Sequence, residues 1–137
     1  MPPPDAGLAE LYAAALAVQS NAHVPYSKYP VGAAVRTASG RVFAGCNVEN
    51  AAYPEGMCAE ASAIAAMVSA GEREIVEILT VADSKELATS CGGCRQKIRE
   101  FGGPGTLVHA AGPEGVRRTF TLEELLPFSF GPEQLTR

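Results

Sequence analysis

Hydrophobic residues recur along this chain with two periods, one typical of helices and the other of strands. Residues 5–21 carry apolar side chains at i, i+3, i+4, i+7 and i+8, which predicts an amphipathic helix. The members of this stripe are Leu8, Leu11, Tyr12, Ala15 and Leu16. The pattern stops at Val24-Pro25, because proline cannot continue a helix. The first predicted element is therefore a helix with one apolar face.

Shorter apolar segments separated by turn residues follow this helix. They predict strands at 31–36, 41–48, 75–82, 106–110 and 116–120, and helices at 58–70, 92–101 and 122–126. The first two strands meet at Ser39-Gly40 and should be antiparallel, whereas the third and fourth are joined through a helix and should be parallel. The order α-β-β-α-β-α-β-β-α predicts an α/β sandwich around a mixed sheet.

Length and charge narrow the class of protein. The 137 residues fit a single domain spanning 1–137, and no apolar run approaches the roughly 18 residues of a membrane span. The first residues, Met1 to Asp5, lack the basic start and apolar stretch of a signal peptide, so we expect a cytoplasmic protein. The net charge of −4 argues against a broad nucleic-acid surface and favours a small, uncharged substrate.

The cysteines carry the main chemical signal. In a cytosolic chain, four cysteines are more typical of metal ligands or free thiols than of disulfides. Cys58, Cys91 and Cys94 fall at the starts of two predicted helices, where unpaired N–H groups stabilise thiolates. Three thiolates can hold Zn²⁺ and leave its fourth position open for water. Cys46 remains possible as a fourth ligand, which would make the zinc structural.

Glu60 stands two residues after Cys58, in the first turn of a predicted helix. From there its carboxylate could reach a zinc-bound water without ligating the metal, and so move protons. Neither feature is specific by itself, because C-x-x-C pairs occur in structural zinc knuckles and redox sites, and glutamates favour helix N-termini for the sake of the dipole. Together, the two clusters match the signature of zinc nucleobase deaminases.

Further segments extend this match. They read VPYSKYPVGAA at 24–34, GCNVENAAYP at 45–54, CAE at 58–60, CGGCRQ at 91–96 and ELLP at 124–127. In their order and spacing, these segments resemble the cytidine deaminase family, and the resemblance covers nearly the whole chain. The branch they resemble is the small homotetrameric one, which binds zinc through three cysteines. The resemblance implies a three-layer α/β/α sandwich with a five-stranded mixed sheet, and zinc as the only cofactor.

The resemblance also implies an activity. It is the deamination of cytidine and deoxycytidine to uridine and deoxyuridine in pyrimidine salvage. Zinc-bound hydroxide would attack C4 of the ring, while Glu60 would protonate N3 and then the departing ammonia. Ala59, beside the first ligand, would contact the substrate.

Asn47 and Glu49 match the family residues that hold the sugar hydroxyls. Side chains at i and i+2 on a strand point to the same face, and an amide and a carboxylate can together donate to and accept from a ribose hydroxyl. Tyr29 stands where the family has a phenylalanine that lines the base pocket. It could stack on a pyrimidine, or it could be a core or interface ring.

Phe130 matches a family phenylalanine that reaches the site of a neighbouring subunit, and Tyr53 matches a residue near the subunit interface. The resemblance thus implies a homotetramer whose active sites are completed by adjacent subunits. Phe130 could instead serve only to pack the C-terminal segment.

Besides Tyr29, two positions depart from the family pattern. Ala61 replaces an arginine that hydrogen-bonds the ligand thiolates, so Arg95 or the helix ends would have to offset their charge. We expect activity to survive this change. Ser90 replaces a proline before Cys91, and serine is expected to cap the helix there.

Alternative functions remain open from the sequence alone. The substrate could be another aminated pyrimidine nucleoside, including a nucleoside antibiotic, or the chain could be a zinc-stabilised binding module without catalysis. A tRNA adenosine deaminase is disfavoured, because that branch uses a histidine as first ligand and needs a basic surface. The histidines of this chain, His23 and His109, do not adjoin Glu60.

Overall fold

A five-stranded mixed sheet forms the centre of the protein in a computed structural model, which describes residues 6–136. The strands are β1 (Val31–Thr37), β2 (Val42–Cys46), β3 (Ile75–Ala82), β4 (Leu107–Gly112) and β5 (Gly115–Thr121). They lie in the order β2-β1-β3-β4-β5, with β3 and β4 parallel and the other neighbours antiparallel. The predicted antiparallel and parallel pairs are therefore confirmed.

Two tight turns set the hairpins at the edges of this sheet. Gly40, between β1 and β2, has a φ of 92°, which a residue with a side chain rarely adopts. Gly115 begins β5 with a φ of 135° and pairs directly with Gly112 at the end of β4. The hairpin between β4 and β5 is thus closed by Pro113 and Glu114 alone.

Four α-helices accompany the sheet: α1 (Ala6–Gln19), α2 (Ala59–Ser69), α3 (Gly92–Phe101) and α4 (Leu122–Leu125). Their bounds agree with the predicted helices to within two residues, and position 5 lies outside the described residues. Two 3₁₀ turns, Tyr53–Glu55 and Pro132–Gln134, were not predicted. Over residues 6–136, no helix has the length and apolarity needed to cross a lipid bilayer.

The sheet separates two apolar clusters, because alternate residues of each strand face opposite sides. Side chains of α1 pack on one face, where they meet Ala34, Leu79 and Val81. Side chains of α2, α3 and α4 pack on the other face, against Val35, Ile78 and Val108 among others. The predicted three-layer sandwich is confirmed.

Helix α1 departs from its predicted stripe at two positions. Leu16 is 41% exposed, although the apolar period placed it on the buried face. Gln19 is buried instead, and its Nε2 donates to the carbonyl of Pro30 and to Asp83 Oδ1, both at 3.2 Å. These contacts tie the end of α1 to the segments that precede β1 and follow β3.

Close packing of α2 on β2 yields a testable requirement at Gly45. A Cβ at this position would overlap the backbone of Ser62 and Ala63 on α2. We expect Gly45→Ala to lower the free energy of unfolding by about 1–3 kcal/mol, because the helix must move away from the strand. Urea unfolding followed by circular dichroism, at one protein concentration, measures this.

Gly105→Ala is the matched control, since a Cβ there meets no atom within 4 Å. Equal urea midpoints for the two variants would contradict the close approach of α2 to β2.

Candidate active site

Three thiols lie together at one edge of the sheet. The Sγ atoms of Cys58, Cys91 and Cys94 are all within 4.8 Å of one another, and those of Cys58 and Cys91 are 3.9 Å apart. Sulfurs at about 2.3 Å from a tetrahedral Zn²⁺ would be separated by about 3.8 Å, so the cluster fits this ion. Cys46, half-buried on β2, does not belong to the cluster. Within the described chain, a fourth cysteine ligand is therefore missing.

Two helix N-termini bring these thiols together. Cys58 is the N-cap residue of α2 and Cys91 is the N-cap residue of α3, while Cys94 lies buried in the first turn of α3. Unpaired N–H groups and partial positive charge gather at such helix ends. The local sequence thus places the sulfurs where negative charge is stabilised.

Burial is the largest single influence on the pKa of each thiol, and it acts upward on all three. It raises the pKa of Cys94 far above its ordinary value, with further contributions from the charges of Glu60 and Cys58. Burial likewise raises the pKa of Cys58. For Cys91 burial also acts upward, but the nearby N–H of Cys94 and the two neighbouring thiols together lower its pKa. Three thiolates side by side thus require a cation, and a soft dication such as Zn²⁺ suits this donor set.

Glu60 is the carboxylate beside this cluster. It occupies the second position of α2, is only 5% exposed, and lies near enough for its charge to raise the pKa of Cys94. Among residues 6–136, no group donates a hydrogen bond to its carboxylate. A buried carboxylate at a helix N-terminus with free lone pairs is suited to accepting and releasing a proton.

A cleft of about 380 Å³ opens above the thiols and Glu60. This volume is within the range of small-molecule sites. Eight of the predicted site residues line it: Tyr29, Asn47, Glu49, Tyr53, Cys58, Ala59, Glu60 and Cys91. Thus the metal cluster and most of the predicted substrate contacts share one cavity.

Asn47 and Glu49 hold the segment before β1 as well as lining the cleft. Asn47 Oδ1 accepts from the N–H of Val31, and its Nδ2 donates to the carbonyl of Tyr29, both at 2.9 Å. Glu49 Oε1 accepts from the N–H groups of Tyr26 and Ser27 at 3.0 and 3.1 Å. Hydrogen bonds from Ser27 are the largest cause that lowers the Glu49 pKa, so this carboxylate stays ionised. Because β2 ends at Cys46, neither residue lies on the strand that was predicted over 41–48. Sequence patterns did not predict this second, structural role.

The two aromatic residues matched to a subunit boundary are both exposed. Tyr53 is 74% exposed and packs edge-to-face against Tyr26, with ring centroids 5.8 Å apart. Phe130 is 57% exposed and lies away from the cleft, beside α3, where Gln96 Nε2 donates to its carbonyl at 2.9 Å. The structure therefore does not bring Phe130 to the site of its own chain.

The far wall of the cleft was not predicted. Thr80 and Ala82 at the end of β3, and Thr89 before α3, line it. A signal was available, because Thr80 interrupts the apolar stretch over residues 78–82 and shares a sheet face with Ala82.

The structure shows how the chain accommodates Ala61 and Ser90, the two departures from the family pattern near the thiols. Arg95 Nε and one terminal nitrogen donate to the carbonyls of Ser90 and Leu125 at 2.8 Å, and the other donates to Thr89 Oγ1 at 2.9 Å. Its contacts therefore hold the segment before Cys91 and include no thiol sulfur. Ser90 is not the helix cap that the sequence predicted. Cys91 takes that position, and the buried Ser90 hydroxyl has no hydrogen-bond partner in the described part of the chain.

A three-layer α/β/α sandwich with a three-thiol, zinc-fitting cluster beside a buried glutamate defines a zinc-binding protein of the deaminase type. A family model described as the cytidine and deoxycytidylate deaminase zinc-binding region matches residues 7–110. The chain belongs to this family.

Individual relatives agree with this assignment. The chain is 39% identical over 127 residues to a cytidine deaminase of Sporosarcina psychrophila, covering 93% of both chains. It is 40% identical over 119 residues to one of Mycobacterium tuberculosis, covering 86% of this chain and 85% of the other. A crystal structure of cytidine deaminase from Burkholderia pseudomallei superposes with a TM-score of 0.84 at 39% identity, covering 89% of this chain and 98% of that one.

Removal of single thiols tests which cysteines hold the metal. We expect the purified protein to contain stoichiometric zinc, and Cys94→Ala to lose most of it because two thiolates bind zinc weakly. Cys46→Ala is the matched control and should keep its zinc, since Cys46 lies outside the cluster. Elemental analysis by plasma mass spectrometry measures both. Loss of zinc from Cys46→Ala would contradict the three-thiol site.

Zinc retention should also weaken as pH falls. The pKa values of Cys58 and Cys94 are raised, so protons compete with zinc for these sulfurs throughout the neutral range. We expect the apparent zinc affinity to fall by about tenfold or more per pH unit between pH 8 and pH 6. Competition with a chromogenic chelator, corrected for the chelator's own protonation, measures it. A pH-independent affinity would contradict thiol ligation.

Proposed function

We propose that this protein catalyses the zinc-dependent hydrolytic deamination of cytidine and deoxycytidine to uridine and deoxyuridine. The observation that carries the proposal is the Glu60 carboxylate, buried beside three thiols at the base of a cleft of nucleoside size. Membership of the deaminase family and the cytidine deaminase relatives support the same reaction.

Zinc held by Cys58, Cys91 and Cys94 would supply Lewis acidity that makes water nucleophilic near neutral pH. The chain must limit the negative charge of three thiolates, because excess charge would oppose ionisation of that water. Without an arginine at position 61, the N-termini of α2 and α3 are the groups that act directly on the sulfurs. Arg95 contributes a positive charge nearby through its bonds to Thr89 and Ser90.

Glu60 would move the protons of the reaction. Its carboxylate accepts a proton from the attacking water and delivers it to N3 of the pyrimidine as the C4–O bond forms. It then takes the remaining proton from the new C4 hydroxyl and transfers it to the exocyclic nitrogen as the C4–N bond breaks and the C4 carbonyl forms. Cytidine and water thus give uridine and ammonia, and Glu60 returns to its starting state.

The upper cleft would hold the nucleoside. Ionised Glu49 has a second carboxylate oxygen that can accept from a ribose hydroxyl, and Asn47 has a remaining Nδ2 hydrogen that can donate to one. Tyr29 would stack on the base, and the small side chain of Ala59 leaves room for the ring beside Glu60. Because both sugar-binding groups also fix the segment before β1, their orientation is set before substrate arrives.

We further propose a cytoplasmic homotetramer, folded as one domain over residues 1–137, in which Tyr53 lies near a subunit interface and Phe130 contributes to the site of a neighbouring subunit. The large exposed fractions of both rings, and the position of Phe130 outside the lining of its own cleft, support this arrangement. A role in pyrimidine salvage follows from the proposed substrates.

Replacement of Glu60 tests the proposed chemistry. We expect Glu60→Gln to keep its zinc and its fold. Its kcat should fall by about 10²- to 10⁴-fold, because the amide cannot accept and release protons. Loss of cytidine absorbance in the ultraviolet, with and without a chelator, measures the reaction. Glu123→Gln, at an exposed position of α4, is the control and should match the wild type.

Two results would count against the proposal. Full activity of zinc-loaded Glu60→Gln would show that Glu60 does not transfer the protons of the reaction. A zinc-loaded wild type that deaminates neither cytidine nor deoxycytidine would reject the substrate. A panel of other aminated pyrimidine nucleosides then distinguishes a different substrate from a non-catalytic zinc module.

A further inference from the structure

Helix α3 fastens the C-terminal segment of the chain. We call residues 128–134 the C-terminal strap. Arg99 Nε donates to Ser129 Oγ at 2.8 Å, and the Arg99 guanidinium also forms an ion pair with Glu133. Gln96, on the same helix, donates to the Phe130 carbonyl. The strap is thus held at three points by two side chains of α3.

Arg99 is almost enclosed by these contacts. Its side chain is 12% exposed, and its guanidinium lies close to the strap at Gly131. A Cβ at Gly131 would overlap the guanidinium, although the backbone there is extended and open to any residue. The absence of a side chain at position 131 therefore lets Arg99 pass beneath the strap.

The strap presents aromatic rings outward from this anchor. Phe128 is fully exposed with a φ of 52°, and Phe130 is 57% exposed. Neither ring packs into the core of its own chain, although the backbone between them is fixed. Exposed apolar rings on a well-anchored segment indicate a surface that another molecule covers.

The same helix connects the strap to the metal cluster. Cys91 and Cys94 lie at the start of α3, and Arg99 lies little more than one turn beyond Cys94. Arg99 is in the last turn of α3, whereas the two thiols are at its start. A change at Arg99 would therefore move the strap without moving the thiols.

We propose that Arg99 is a positioning residue that fixes the strap and so orients Phe130 for the cleft of a second copy of this chain. This inference rests on the proposed function, because the receiving cleft is the proposed nucleoside site. The planar guanidinium suits the task, since its several N–H donors bind the Ser129 hydroxyl and the Glu133 carboxylate at once.

Steady-state kinetics test the role of Arg99. We expect Arg99→Met to raise KM for cytidine on the order of tenfold, with a smaller change in kcat, because Phe130 would help to hold the substrate but would not move protons. Gly131→Ala should shift KM in the same direction by pushing the guanidinium aside, without changing α3. Lys97→Met, an equal loss of charge at an exposed position of α3, should leave both constants unchanged.

Mixed oligomers test whether the effect acts between chains. Glu60→Gln subunits have an intact strap but no proton shuttle. Arg99→Met subunits have a working Glu60 but a displaced strap. Refolded together, they should form some sites that combine a working Glu60 with a properly held Phe130 from the neighbour. We expect these mixtures to recover a low KM that neither variant shows alone.

Each outcome decides the proposal. Unchanged KM in Arg99→Met, or mixtures that behave as the sum of the separate variants, would overturn it. If Arg99→Met does not fold, Gly131→Ala takes its place in both experiments. Wild-type deamination in the same assay distinguishes failure of this inference from failure of the proposed function.

Discussion

The convergence of two helix N-termini at one edge of the sheet is the constraint on which the site depends. Helix α2 begins at Cys58 and α3 begins at Cys91, so both ends aim unpaired N–H groups at the space that the sulfurs share. The carboxyl end of β3 leads into the segment before α3, and ligands of open α/β sheets bind at that edge. Packing of α2 against β2 through Gly45 fixes one of these ends. The metal site is thus a consequence of how the layers pack.

Electrostatics then decide what this edge can hold. Three thiols and Glu60 are crowded into one buried region, and their mutual repulsion adds to the cost of burial. A dication bound by the sulfurs relieves that repulsion and leaves Glu60 as a free carboxylate beside it. The family's arginine after the glutamate is replaced by Ala61, and Arg95 bonds to the backbone before Cys91 instead of to sulfur. We therefore expect the helix N-termini of this chain to offset more of the negative charge on the thiolates.

Sequence patterns predicted the elements of the fold and the metal cluster well, because both depend on local signals. Helix α3 has its predicted bounds, and the cysteines and Glu60 lie together as their positions at helix starts implied. Contacts between residues far apart in the chain could not be predicted from the sequence. Gln19 replaces Leu16 on the buried side of α1 because it binds two distant loops, and Asn47 supports β1 through backbone groups 16 and 18 residues away. Ser90 does not cap α3 because Cys91 occupies that position.

The most direct test of the central claim is X-ray absorption at the zinc edge of the purified, substrate-free protein. An open fourth corner predicts three sulfur scatterers at about 2.3 Å and one oxygen at about 2.0 Å. When a nucleoside analogue is added, a ligand atom of the analogue should replace that oxygen, while the three sulfur scatterers remain. Four sulfurs, or three sulfurs with an imidazole nitrogen, would mean a closed structural site, and the catalytic account would be wrong.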